Sequence, residues 1–234
     1  MKDELPVIII GSGLAGYNLA KEFRKLDVST PLIIITQHAG RFYSKPQLST
    51  ALTNKKDIAA LTMASVEKME EDLAASILSF QTVSDIDAKE KTITCDGKVM
   101  AYRQLVLAQG ALPIKLALKG EAAEQVISIN DLMAYEKFHA MLSNVKRVVI
   151  LGTGLVGCEF ANDLTRHGLA VDVVSPDNYP LQQMVPKAIG ELLQATLAEH
   201  GVNWHLQQFA ESVGRTSSGA LCVKTSENKS LQGD

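Results

Sequence analysis

The sequence predicts an α/β fold of two domains, each built around a β-α-β unit, with an antiparallel β-meander inserted in the first. The main observation is an internal repeat, in which residues 7–27 (VIIIGSGLAGYNLAKEFRKLD) return as residues 148–168 (VVILGTGLVGCEFANDLTRHG). Each copy passes from an apolar run through a glycine-rich turn into a segment of helical periodicity, and a second apolar run follows at 32–36 and at 170–174. A helix that joins two neighbouring strands in this way requires the strands to be parallel.

The residues between the two copies have a different pattern. Residues 77–107 contain short alternating runs broken at Asp96-Gly97, a dipeptide typical of tight hairpin turns, and this predicts the antiparallel meander. We place the boundary so that the two domains are 1–115 and 116–234. Capping residues and apolar periodicity predict the later elements, which are a helix over 130–142, an amphipathic helix over 187–200 closed by Gly201, and a strand over 202–206.

Both glycine-rich turns carry the spacing GxGxxG between a strand and a helix, with glycines at Gly11, Gly13 and Gly16 and at Gly152, Gly154 and Gly157. In this motif the first glycine allows a tight turn, the second lets the backbone approach a pyrophosphate, and the third lets the helix pack on the strand. The helix N-terminus then offers unpaired N–H groups and a partial positive charge to the phosphates. Two such motifs predict two Rossmann-like domains of the FAD/NAD(P)-binding type.

The composition argues against several other classes of function. With 46% hydrophobic and 21% charged residues, the chain is typical of a globular protein, and its formal net charge of −3 gives nucleic acid no attractive field. The three cysteines and five histidines show no spacing typical of disulfide frameworks or metal sites, so we expect no metal. Gly11 interrupts the first apolar run after four residues. The start therefore predicts neither a signal peptide nor a membrane span, and we expect a cytoplasmic protein that does not insert in membranes.

Three stretches resemble a known family: GSGLAGYNLAKEFRKLD at 11–27, YSKPQLST at 43–50 and GLVGCEFANDL at 154–164. With them, the chain resembles the pyridine-nucleotide flavoprotein oxidoreductases, which use FAD and NADH, and within that family it is most similar to the bacterial rubredoxin reductases. One branch of the family places a redox-active cysteine pair near residues 43–50, but no cysteine occurs here before Cys95. This argues against disulfide exchange.

The resemblance assigns the first glycine motif to FAD. Gly11, Gly13 and Gly16 would hold the pyrophosphate, and Ser12, Leu14 and Ala15 would add backbone contacts. The other implied FAD contacts are Ser44, Lys45 and Pro46 beside the isoalloxazine, Val83 at the adenine, and Ala108 and Gly110 at the Ala-x-Gly strand end where the chain leaves the flavin domain. The second apolar run ends in Thr36 and Gln37 rather than in the acid that many ribose sites carry, so Arg41 is our candidate for the adenosine contact.

The second motif is correspondingly assigned to NADH, through Gly152, Gly154, Leu155, Val156 and Gly157. In similar reductases an acid at the position of Glu159 pairs with the lysine at the flavin edge, here Lys45, and the pair orients the nicotinamide near flavin N5. From the residues alone, Lys45 is equally an exposed lysine and Glu159 a solvated acid at a helix start. Asp177 is the candidate ribose ligand. No Arg or Lys lies between 170 and 186 to receive a 2′-phosphate, which favours NADH.

The implied activity is hydride transfer from NADH to flavin N5, followed by single-electron transfer to rubredoxin or a similar small iron–sulfur carrier. Ferredoxin or flavorubredoxin reduction and a nitrite-reductase flavin module stay open as alternatives, as does a non-catalytic dinucleotide-binding module. The family's later Gly-Asp motif and interface domain do not occur before Asp234. We therefore expect this chain to be a fragment of a longer reductase.

Overall fold

The computed structural model describes residues 4–234, and the chain divides into two compact units. The first unit contains the residues up to Lys45 together with Ile58–Leu112 and Asp131–Met133. The second unit contains Pro46–Asp57, Pro113–Asn130 and Ala134–Asp234. Each unit thus includes a short segment whose sequence neighbours belong to the other unit.

The first unit is built on a four-stranded parallel sheet. Its elements are β1 (Val7–Ile10), α1 (Leu14–Leu26), β2 (Leu32–Ile35), β3 (Phe42–Tyr43), α2 (Ile58–Leu61), β4 (Thr62–Ala64), α3 (Val66–Leu73), β5 (Ser76–Leu78), β6 (Val83–Asp87), β7 (Thr92–Cys95), β8 (Lys98–Ala101) and β9 (Gln104–Leu107). The sheet has the order β5-β2-β1-β9, and α1 connects the parallel neighbours β1 and β2. Ile8, Ile9 and Ile34 are fully buried in it, and Tyr17 and Ala20 of α1 join the core. The first predicted β-α-β unit is therefore confirmed.

The antiparallel meander of the first unit comprises only β6, β7 and β8. Asp96 and Gly97 form its second turn with φ values of 45° and 78°, the left-handed pair that a type I′ hairpin needs. The predicted meander over 77–107 was too long, because β5 pairs in parallel with β2 and β9 pairs in parallel with β1. Alternation of apolar residues indicates which face of a strand is buried, but it does not specify the partner strand.

The second unit combines a three-stranded parallel sheet with a three-stranded antiparallel one. Its elements are α4 (Leu132–Met141, which begins in the first unit), β10 (Arg147–Leu151), α5 (Leu155–Arg166), β11 (Ala170–Val174), α6 (Lys187–Glu199), β12 (Val202–His205), β13 (Ala210–Arg215), β14 (Leu221–Thr225) and β15 (Ser230–Gly233), with 3-10 helices at Lys45–Thr50, Ala123–Gln125 and Leu142–Asn144. The parallel order β10-β11-β12 confirms the second β-α-β unit. The helix predicted over 187–200 and the strand predicted over 202–206 are also present. The antiparallel sheet β13-β14-β15 was not predicted.

The described part of the chain, residues 4–234, contains no helix that is both long and apolar enough to cross a membrane.

Candidate functional site

The first glycine turn packs tightly at two positions and is open at the third. Gly11 has a φ of +113°, and a Cβ there would lie 2.2 Å from the Ala108 carbonyl oxygen. A Cβ on Gly16 would lie 2.0 Å from the Gly11 carbonyl oxygen, so neither position accepts a side chain. Gly13 is exposed and has no atom within 4 Å of an ideal Cβ. The turn therefore packs against the protein at Gly11 and Gly16 and leaves open space at Gly13.

That open space lies at the N-terminus of α1. Gly13 is the N-cap residue, provides no side-chain cap, and is followed by no acidic residue in the first turn of the helix. The first backbone N–H groups of α1 therefore keep their capacity to donate to an anion, and the helix dipole favours negative charge there. These features fit a pyrophosphate, which needs close backbone approach and several N–H donors.

The second glycine turn, in the second unit, shares the tightly packed last glycine and the open middle glycine, but its first glycine, Gly152, has no atom within 4 Å of an ideal Cβ. Gly152 has a φ of +112°, a Cβ on Gly157 would lie 2.3 Å from the Gly152 carbonyl oxygen, and Gly154 faces open space. Gly154 caps α5 without a side chain, and the first turn of α5 again contains no acid. Leu155 and Val156, in that first turn, are 49% and 54% exposed. The second turn therefore fits a pyrophosphate for the same reasons as the first.

A buried pair of hydroxyl groups joins each glycine turn to the end of the second strand of its unit. The Ser12 hydroxyl donates to Thr36 Oγ1 at 2.9 Å, and the Thr153 hydroxyl lies 2.9 Å from Ser175 Oγ. All four residues are buried. Neither pair was predicted from the sequence. The available signal was that both copies carry a hydroxyl residue at the second position of the motif and at the end of the following apolar run.

Asp177 adds a carboxylate to the second of these pairs. Its Oδ2 atom accepts hydrogen bonds from the Thr153 hydroxyl at 2.7 Å and from the Ser175 hydroxyl at 2.9 Å. The first unit has His38 at the corresponding place. The contact of His38 with Thr36 is made by its backbone N–H, which donates to Thr36 Oγ1 at 3.2 Å. Both hydrogen bonds go to Oδ2 and thereby orient the Asp177 carboxylate, and Oδ1 takes no part in them. An oriented carboxylate beside a glycine turn is suited to accept hydrogen bonds from a ribose diol.

The other residues predicted to contact FAD lie at several places in the chain. Arg41 is half-buried before β3, Ser44 is half-buried, and Lys45 and Pro46 are exposed at the start of the 3-10 helix Lys45–Thr50. Val83 is the first residue of β6 and is half-buried. Ala108 follows β9, donates its N–H to the Ile10 carbonyl at 2.8 Å and precedes Gly110, which has a φ of +71°. Of these residues, the structure brings Ala108 directly to the first glycine turn.

Glu159 is held by a residue that the sequence analysis did not single out. Its carboxylate accepts a short hydrogen bond from the Ser49 hydroxyl, and both residues belong to the second unit. Four residues further along α5, the Asp163 carboxylate accepts the backbone N–H groups of Leu52 at 3.0 Å and of Thr53 at 2.7 Å. The segment Pro46–Asp57 is therefore fastened to α5 at two points. The ion pair between Glu159 and Lys45 stays a prediction.

The cysteines of this chain are all free thiols. Cys158 follows the last glycine of the second motif and is buried, and burial together with the nearby charge of Glu159 raises the pKa of its thiol to about 11. Burial also raises the pKa of Cys95, whereas Cys222 is half-buried. Within residues 4–234, no cluster of three or more His, Cys, Asp or Glu side chains is arranged to hold a metal ion.

Comparison with known proteins places this geometry among nucleotide-dependent oxidoreductases. The family profile described as pyridine nucleotide-disulphide oxidoreductase matches residues 5–234. A rubredoxin-NAD(+) reductase from Alcanivorax borkumensis is 41% identical over 229 residues, which are 98% of this chain and 60% of that protein. A nitric oxide reductase FlRd-NAD(+) reductase from Vibrio vulnificus is 33% identical, over 92% of this chain and 57% of that protein.

A solved structure of similar fold belongs to a ferredoxin reductase from Rhodopseudomonas palustris, with a TM-score of 0.87 and 26% sequence identity. The match covers 98% of this chain and 57% of that one. The chain thus spans about 60% of the length of the Alcanivorax protein and somewhat less of the other two. The predicted fold class of two Rossmann-like domains is confirmed by these matches.

Proposed function

The chain belongs to the pyridine nucleotide-disulphide oxidoreductase family, and on this premise we propose that it binds FAD and NADH and serves hydride transfer between them. The observation that carries the proposal is the repeated geometry of the two glycine turns. Each turn has a tightly packed third glycine, an open middle glycine and an uncapped helix N-terminus without an acid in its first turn. Two pyrophosphate-binding turns in one chain suit an enzyme that holds two dinucleotides.

The first turn is proposed to hold FAD. The N–H groups at the start of α1 would receive the pyrophosphate, while Gly11 and Gly16 keep the backbone close enough for this approach. Ser44, Lys45 and Pro46 would contact the flavin ring, and Arg41 and Val83 the adenosine half. When bound, FAD supplies a flavin that accepts a hydride and passes electrons on singly.

The second turn is proposed to hold NADH rather than NADPH. Asp177, aimed by Thr153 and Ser175, would accept hydrogen bonds from the adenosine ribose. The same carboxylate would repel a 2′-phosphate, and residues 170–186 contain no Arg or Lys to neutralise that phosphate. The electrostatics of this strand end therefore favour the unphosphorylated nucleotide.

Lys45 and Glu159 are proposed to orient the nicotinamide and to stabilise charge during hydride transfer. Ser49 supports this role for Glu159, because its hydroxyl donates to the carboxylate and restricts its position. A lysine at the flavin edge would provide a fixed positive charge in a site that the bound nucleotide shields from water. The contribution of both residues is therefore orientation and electrostatics.

The proposed electron acceptor is rubredoxin or a similar small iron–sulfur protein. The proposal rests on the name of the Alcanivorax relative, with which this chain shares 41% identity. The Vibrio relative is named for an FlRd acceptor, and its 33% identity makes a flavorubredoxin the second candidate. A dithiol–disulfide relay is disfavoured by the chemistry of Cys158, whose raised pKa keeps its thiol protonated at neutral pH.

The test has two steps. The purified chain is first saturated with FAD and mixed anaerobically with NADH. The absorbance of oxidised flavin, at about 450 nm, is then followed over a time on the order of milliseconds to seconds. Loss of that absorbance supports hydride transfer, whereas a flavin that binds and stays oxidised favours the non-catalytic binding module. NADH-dependent reduction of rubredoxin, flavorubredoxin and ferredoxin is then compared, and the proposed acceptor is contradicted if rubredoxin is the slowest of the three.

A further inference from the structure

Asp163 is a buried carboxylate that binds backbone rather than another side chain. It lies on α5 and is 1% exposed. Oδ2 accepts the N–H of Leu52 at 3.0 Å and Oδ1 accepts the N–H of Thr53 at 2.7 Å, so each oxygen holds one donor. A buried carboxylate is strongly unfavourable unless such donors compensate its lost hydration, and N–H bonds to an ionised acceptor are about twice as strong as neutral ones. The arrangement is therefore a strong and directional tether.

The tether joins two segments that carry predicted functional residues. Leu52 and Thr53 follow the 3-10 helix that begins at Lys45, and all of Pro46–Asp57 packs within the second unit. Glu159 lies one helical turn before Asp163 on the same face of α5 and accepts from Ser49 in that 3-10 helix. Two acids four residues apart on one helix therefore bind the same segment, one at Ser49 and the other at Leu52 and Thr53.

We propose that Asp163 is a positioning residue, which fixes the register of the segment Pro46–Asp57 against α5 and so places Ser49 beside the Glu159 carboxylate. Because Asp163 binds main-chain N–H groups, it fixes the path of the backbone whatever side chains the segment carries. The consequence for hydride transfer rests on the proposed function, while the tether itself does not depend on it.

Amide hydrogen exchange of the 234-residue chain, resolved by NMR at Leu52 and Thr53, tests the tether directly. Both amides are expected to exchange slowly in the unsubstituted chain. Asp163→Ala is expected to accelerate exchange at both amides by about tenfold or more. A tenfold acceleration corresponds to a decrease of ~1.4 kcal/mol in the free energy that protects each amide. Asp163→Asn is expected to accelerate only one of them, because the carboxamide oxygen still accepts whereas its NH2 group does not.

The matched control is Asp172→Asn. Asp172 is a half-buried carboxylate of the second unit, and its partner is the His205 ring at 2.8 Å. This control is expected to leave exchange at Leu52 and Thr53 unchanged. The tether is contradicted if both amides exchange at unstructured-peptide rates in the unsubstituted chain, or if both stay protected in Asp163→Ala.

The catalytic consequence is measured separately with the FAD-loaded chain. Asp163→Asn is expected to lower the rate of flavin reduction at saturating NADH by about tenfold, while the Kd for NADH changes less than about twofold. A purely structural role would lower the melting temperature and leave that rate unchanged in the folded fraction, and this result would overturn the positioning role. If the flavin of the unsubstituted chain is not reduced at all, the proposed function fails, and the exchange data still decide the tether.

Discussion

The Thr153 hydroxyl donates to the Asp177 carboxylate at 2.7 Å and so connects the middle of the second glycine turn with the end of β11. Ser175 donates to the same oxygen at 2.9 Å. The first unit has the corresponding hydroxyl pair, Ser12 and Thr36, but has His38 where the second has Asp177. One repeated scaffold thus presents a carboxylate in only one of its two copies, and this difference separates the two proposed nucleotide sites.

Replacing the Asp177 carboxylate by an amide is expected to weaken NADH binding and to reduce discrimination against NADPH. Asp177→Asn removes the charge that would repel a 2′-phosphate and weakens the acceptor for a ribose hydroxyl. We expect the Kd for NADH to rise about tenfold, or ~1.4 kcal/mol, and the Kd for NADPH to rise less or to fall. Titration calorimetry with both nucleotides measures this. Equal weakening of both would contradict the assigned role, and Asp172→Asn serves as the control with normal affinity.

The two middle glycines provide a test of which turn holds which nucleotide. A Cβ at Gly13 or Gly154 meets no atom within 4 Å, so Gly13→Ala and Gly154→Ala are expected to fold normally. Each added methyl group would occupy space proposed for a pyrophosphate. We expect Gly13→Ala to weaken FAD binding and Gly154→Ala to weaken NADH binding, each by about tenfold or more. Fluorescence titration of each variant with each nucleotide distinguishes this outcome from the reversed assignment.

The last glycine of the second motif is expected to behave differently. A Cβ on Gly157 would lie 2.3 Å from the Gly152 carbonyl oxygen, so the helix would have to move away from the strand. Gly157→Ala is therefore expected to lower the free energy of unfolding by about 1–3 kcal/mol, the usual range for overpacking. Urea denaturation measures the loss. A Gly157→Ala chain as stable as Gly154→Ala would show that the turn is looser than the structure describes.

Lys45 and Glu159 are expected to affect the rate of flavin reduction more than nucleotide binding. Lys45→Met removes a fixed charge from the proposed flavin edge, and we expect the rate at saturating NADH to fall on the order of tenfold to a hundredfold. Glu159→Gln is expected to lower it less, since the amide still accepts from Ser49. Stopped-flow absorbance measures both rates. Lys89→Met, at another exposed lysine, is the control, and a decrease as large as that of Lys45→Met would remove the case for Lys45.

The three thiols are expected to differ in reactivity at pH 8. Burial and the neighbouring Glu159 charge raise the pKa of Cys158 to about 11, so only about one thiol in a thousand is ionised there. Cys95 is buried and its pKa is also raised, while Cys222 is half-buried. A chromogenic disulfide reagent should therefore titrate one thiol rapidly, and Cys222→Ser should abolish that phase. Loss of the fast phase in Cys158→Ser instead would contradict the expectation.

Local sequence patterns determined most of the architecture. The repeated order of apolar run, GxGxxG turn and periodic helix predicted both β-α-β units, and Asp96-Gly97 predicted the hairpin between β7 and β8. These features depend on residues close together in the chain, because helical and strand periodicity and turn conformation are local properties of the backbone. The predicted meander was too long, because β5 and β9 pair in parallel with β2 and β1 and the partner of a strand is a non-local property.

The candidate site shows the same division between local features and non-local contacts. Motif spacing predicted the six glycines and Asp177 as nucleotide contacts, because it places them beside a helix N-terminus or a strand end, and the family resemblance added Glu159. Only the tertiary structure joined Thr153 to Ser175 and Asp163 to Thr53, the latter pair 110 residues apart in the chain. Such contacts depend on where distant segments cross in the folded protein and on which buried donors and acceptors still need partners there. Local sequence patterns therefore predicted where nucleotides would bind, while packing decided which side chains orient the groups that are proposed to receive them.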